Sequence, residues 1–85
     1  MIRNMLAQFN NKKFKITIIE DGHSKSFKNN TICVYNNTEA FTINGDIHRY
    51  IKFKEIENIK NNQKSITFLK KDKYSKQKFI ISKIS

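Results

Sequence analysis

From Lys13 onward the bulky apolar residues alternate with polar ones in runs long enough only for brief β-strands. Phe14, Ile16 and Ile18 alternate with Lys13, Lys15 and Thr17, so one face is apolar and the other wet. Ile19 extends the strand and breaks its alternation. Asp21-Gly22 follows, and glycine tolerates the positive φ of a tight hairpin turn, which returns the chain through residues 25–28. Asn29-Asn30, Asn36-Asn37 and Asn44-Gly45 then separate the runs 31–35, 39–43 and 47–53, at seven or eight residues per unit. Phe53, Ile56 and Ile59 have helical or 3₁₀ spacing, and the runs 65–70 and 76–84 form a last hairpin around Lys71-Asp72-Lys73. Ahead of all this, Ile2, Met5, Leu6 and Phe9 repeat at the spacing of a helix face.

These elements predict a single domain over residues 1–85, mainly β with one helical element (α+β). A short N-terminal helix is followed by six or seven short antiparallel strands in a small barrel or strongly curved sheet, because closure removes exposed edges. A four- or five-stranded sheet with the helix across one face is the alternative. The apolar phases select a core of Leu6, Phe9, Phe14, Ile16, Ile18, Ile32, Val34, Phe41, Ile43, Ile51, Phe53, Ile56, Ile66, Phe68, Phe79 and Ile81. A core of this size gives modest stability, and a partner or second copy of the chain would add to it.

Chemistry is sparse. Cys33 has no second cysteine to pair with, and His23 and His48 do not complete a zinc ligand set, so neither metal nor cofactor is expected. Cys33 sits mid-strand among β-branched residues, the setting of a buried or half-buried small side chain. Asp21, His23, Asp46 and His48 lie on two turns that could in principle meet as an acid/base pair. Aspartate in a turn more often bonds its own backbone, and no nucleophile triad, phosphate loop or carboxylate pair is present. The expectation is a non-enzymatic protein. A lone cysteine fits a reducing cytoplasm, and no apolar run has the length of a signal peptide or a membrane span.

The net charge is +10, which favours polyanions or an acidic protein surface as partner. Lys, Asn and Ile fill 40 of the 85 positions, as AT-rich coding produces, so part of this charge is compositional. Its placement says more: residues 60–85 hold eight lysines against Asp72 alone. Alternation puts Lys13 with Lys15, His48 and Tyr50 with Lys52 and Lys54, and Lys76 with Lys78. Lys70, Lys71, Lys73 and Tyr74 surround the last hairpin. Ammonium groups interleaved with tyrosines can track a phosphate backbone and stack bases. The candidate binding residues are therefore Tyr50, Lys52, Lys54, Lys70, Lys71, Lys73, Tyr74, Lys76 and Lys78. With Arg3 and Arg49 the only arginines, readout would be electrostatic and poorly sequence-specific.

The N-terminal helix, the strand ending in Asp21-Gly22, the meander, and Tyr50-Ile-Lys-Phe-Lys-Glu-Ile-Glu-Asn-Ile59 together resemble the Sm-like small β-barrels over residues 2–60. That resemblance implies a ring oligomer that binds RNA. Lys60-Asn61 stands where the family carries Arg-Gly or Lys-Gly, and the hairpin from Ser65 onward is foreign to it, so no RNA-contact residue is carried over. The composition resembles that of low-GC bacterial and phage proteins. The expected function is a basic domain contacting nucleic acid or a nucleoprotein; the alternative is a small phage- or plasmid-type inhibitor or adaptor, for example anti-defence, that binds a nucleoprotein complex or a host protein with an acidic patch.

Overall fold

The computed structural model describes residues 2–9, 12–34, 38–62 and 64–84, with backbone alone for Ile2 and Arg3. A helix, α1 (Ile2–Ala7), precedes β1 (Phe14–Glu20), β2 (His23–Val34), β3 (Ala40–Gly45) and β4 (Arg49–Lys52). A 3₁₀ turn, Phe53–Glu55, leads into β5 (Ile56–Asn61), β6 (Ser65–Lys71) and β7 (Lys76–Lys83). All seven strands join one antiparallel sheet in the order β4-β3-β2-β1-β7-β6-β5. The two edge strands are consecutive in the chain, so the three-residue turn between them curls the sheet into a half-barrel.

Inward positions supply the core. Thirteen of the sixteen residues selected from the sequence are buried, and Val34, Phe53 and Ile56 pack half-buried against them. Phe41 on β3 meets Phe68 on β6 edge-on at 6.2 Å between ring centroids, joining opposite walls of the curl. Leu6 and Phe9 are buried too, and the Phe9 ring lies edge-on against Phe14 at 5.7 Å. Helix α1 and Phe9 therefore plug the end of the half-barrel where β1 begins. The end where β1 finishes is left open.

Two strands carry a bulge that the sequence pattern disguises. β2 is one strand from His23 to Val34, where residues 25–28 and 31–35 read as two separated by Asn29-Asn30; Tyr35 lies outside the described residues. Its first half pairs with β1 and its second with β3, and one extra residue enters between Phe27, opposite Ile16, and Asn30, opposite Phe14. The bulge is pinned from outside the ladder: the Asn29 N–H donates to Asp46 Oδ2 at 3.1 Å, and the Asp46 N–H donates to the Asn29 carbonyl at 3.0 Å. Gly45 makes that approach feasible. Its φ is 142°, and an added Cβ would collide with the Asn29 carbonyl oxygen and stand 2.9 Å from Asn30 Cα.

The helical or 3₁₀ reading of Phe53, Ile56 and Ile59 holds for the first turn and is corrected beyond it. Only Phe53–Glu55 is 3₁₀; Ile56–Asn61 is a strand with a bulge between Glu57 and Lys60, where Asn58 adopts φ 54°. An inserted residue returns the side chain to the same face after three positions instead of two, so Ile56 and Ile59 both reach the core.

The turns follow side-chain chemistry. Asp21 (φ 53°) and Gly22 (φ 79°) form the expected two-residue hairpin between Glu20 and His23. The last two hairpins share one device: the side-chain oxygen of Asn62 accepts from the N–H groups of Lys64 and Ser65, and that of Asp72 from those of Tyr74 and Ser75, each at 2.8 Å.

Candidate functional site

The strand registers place the lysines. Ile16, Ile18, Phe68, Phe79 and Ile81 face inward, so Lys15, Thr17 and Ile19 of β1, Lys76, Lys78 and Ile80 of β7, and Thr67, Leu69 and Lys71 of β6 face outward. Lys78 stands between Ile19 and Leu69, and Lys60 of β5 lies beyond Thr67. Lys71 and Lys76 are direct cross-strand partners, a like-charge pair that disfavours the hairpin unless an anion lies over it. The carboxylate on this face among the described residues is Glu57, opposite Leu69.

The tip of the β6–β7 hairpin extends the face. Tyr74 is 89 % exposed, and the Lys73 ammonium sits 5.8 Å from its ring centroid. Asp72 organises the tip. The Tyr74 backbone N–H, the Lys70 ammonium and the Ser75 N–H hold its carboxyl down from 3.8 to about 2. Lys70, expected among the hairpin cations, has a side chain only 14 % exposed and bonded to Asp72 Oδ2 at 3.1 Å. Lys70 therefore builds the turn, while Lys71, Lys73, Tyr74, Lys76 and Lys78 are the exposed set.

Tyr50, Lys52 and Lys54 form a separate group. Tyr50 is 55 % exposed on β4, opposite Thr42, at the far edge of the sheet order from β6 and β7. β4 is only four residues long, so the alternation expected from His48 to Lys54 stops at Lys52, and Lys54 belongs to the 3₁₀ turn that Glu55 caps through the Lys52 N–H.

The turn acids and histidines have local roles or stand apart. Asp46 secures the β2 bulge, and His48 Nδ1 lies 3.3 Å from Asn44 Oδ1. Asp21 and His23 instead line the open end of the half-barrel. Cys33 is exposed, contrary to the buried or half-buried expectation, because its neighbours Ile32 and Val34 take the inward phase of β2. Among the described residues no three His, Cys, Asp or Glu side chains gather as metal ligands, and no helix is long and apolar enough to cross a membrane.

Two features escaped the sequence. Lys12, Lys13 and Lys83 converge on Phe9 and Ile84 at the plugged end, from positions too far apart in the chain to suggest a cluster. At the open end, a cleft of about 430 Å³ is floored by Ile18 and Phe27 and walled by Lys25, Arg49, His23, Glu20, Asp21 and Gln77. No protein-family model, curated protein or solved structure matches this chain.

Proposed function

We propose that the protein is a non-enzymatic binding domain that holds nucleic acid, free or within a nucleoprotein, by its phosphates and with low sequence specificity. The interface is the outer face of β1, β7 and β6 with the β6–β7 hairpin tip. The observation that carries this reading is the Lys71–Lys76 cross-strand pair, continued by Lys73, Tyr74 and Lys78 around a turn that Asp72 holds rigid. Side chains within about one Debye length, roughly 8 Å at physiological salt, act together on a phosphate chain. The exposed tyrosine adds a surface on which an unpaired base can stack.

Fluorescence anisotropy with labelled single-stranded and duplex oligonucleotides tests it. Affinity should fall on the order of a thousandfold between roughly 50 and 200 mM salt if six or more phosphates are contacted. Changing Lys71, Lys73 and Lys76 to Gln should flatten the salt slope by about two to three units. The same change at Lys12, Lys13 and Lys83 should do less. Equal losses from both triples would replace the site by diffuse charge. Absence of binding to any nucleic acid at low salt, with a protein partner retained after nuclease treatment, would hand the surface to an acidic host protein.

A further inference from the structure

The concave cleft at the open end differs from the outer face in kind. On the inner surface of a curled sheet the expected residues are apolar, yet beyond Ile18 and Phe27 the inward positions of β1, β2, β4 and β7 carry Glu20, His23 with Lys25, Arg49 and Gln77. Four strands and the Asp21 turn thus surround a half-buried aromatic ring with both charge signs and an amide. We infer that this cleft binds one nucleoside monophosphate unit, with the base on Phe27 and the phosphate at Lys25 and Arg49.

The chemistry of each wall assigns the orientation. Glu20 and Asp21 would repel a phosphate, so it belongs on the β2 and β4 side, where Lys25 and Arg49 project. The Arg49 guanidinium is steadied by donating from Nη1 to the His48 carbonyl at 3.0 Å, and it retains further N–H groups for an anion. Gln77 Nε2 donates to Glu20 Oε1 at 3.3 Å, which sets an amide and a carboxylate side by side within reach of a base edge. Phe27 and Ile18 offer the apolar platform between the two. A volume of about 430 Å³ is in the range of small-ligand sites. The unit could be a free nucleotide or one residue of a single strand. A duplex, whose bases are stacked, cannot present it.

This inference rests on the nucleic-acid reading only for the strand-bound form, and the experiment separates the two. Amide chemical shifts of the isotope-labelled protein are followed with AMP, GMP, CMP and UMP, then with a short single-stranded oligonucleotide. Shifts should saturate at Ile18, Phe27 and Arg49 and spare Lys71 and Lys76 with the mononucleotides. Arg49→Gln, an exposed position, and Phe27→Leu, which keeps an apolar side chain, should each weaken single-strand binding by at least about fivefold and leave duplex binding unchanged. If no mononucleotide shifts the cleft residues and Arg49→Gln binds single strands like the parent, while the Lys71/Lys73/Lys76 triple still loses affinity, the cleft assignment is overturned and the outer face stands. Mononucleotide binding without polymer binding would keep the cleft and remove the outer face.

Discussion

Phe68 and Phe79 stand directly opposite each other on β6 and β7 with their ring planes 10° apart and centroids 5.2 Å from each other. Phe68 also meets Phe41 across the interior, so one side chain ties the last hairpin to the far wall of the sheet. Phe68→Ala should therefore cost about 3–5 kcal/mol by cavity formation, read as a lowered urea midpoint. A variant as stable as the parent would refute this packing.

The two glycines should respond differently to alanine. Gly22→Ala meets only the strain of a positive φ, with no atom within 4 Å of the new Cβ, and should cost about 1–2 kcal/mol. At Gly45 the new Cβ adds a backbone collision with Asn29, so Gly45→Ala should cost more. Equal thermal midpoints for the two variants would mean that Asn29 and Asp46 do not hold the bulge in place.

Asp72 ties stability to acid. Its folded pKa, about 2, lies below the ordinary 3.8, chiefly through the Tyr74 N–H and then the Lys70 ammonium. A depressed carboxyl stabilises the fold above its unfolded pKa, and that contribution is lost as pH falls through the folded value. The urea-midpoint gap between the parent and Asp72→Ala should hold steady from neutrality to about pH 4 and narrow towards pH 2. A gap unchanged down to pH 2 would remove the ionised carboxylate from the account.

Tyr74 should matter for binding and not for folding. With 89 % of its surface exposed, Tyr74→Ala should change stability by less than about 0.5 kcal/mol. The same variant should weaken single-strand binding about fivefold or more. Unaltered affinity in the anisotropy titration would reduce the tip to its lysines.

Alternation was a sound guide wherever strands stay regular, as Phe14, Ile16 and Ile18 or Phe68, Phe79 and Ile81 show by their burial. It failed at the bulges. Phe27 with Asn30, and Ile56 with Ile59, are three positions apart and share an inward face, a spacing that looks like a break in one case and a helix in the other. Asn30 shows a second limit: it is 1 % exposed and uses its amide nitrogen to bond the Phe27 carbonyl, which no hydropathy pattern reveals. Of the candidate site, the cations at the β6–β7 tip were legible as a charge cluster, and the inward phase of Lys70 follows from the same alternation as Ile66 and Phe68. Its ion pair with Asp72 did not show, because it depends on how the turn two residues later is folded. The cleft was invisible for a related reason. Lys25, Arg49 and Gln77 come together only through the curl of the sheet, which brings β4 round towards the inner face of β1, β2 and β7.

The central ladder of the sheet joins β1 to β7, from Phe14 opposite Lys83 to Ile19 opposite Lys78. During synthesis β1 emerges before β7, so the growing chain can pair β1 with β2, β2 with β3 and β3 with β4 while the other edge of β1 stays bare. A ribosome adding roughly 5–20 residues per second leaves that edge open for several seconds. The curl therefore closes only after Lys83 has left the exit tunnel, and Lys13 and Lys15, flanking the bare edge, supply the charge that discourages two nascent chains from pairing there.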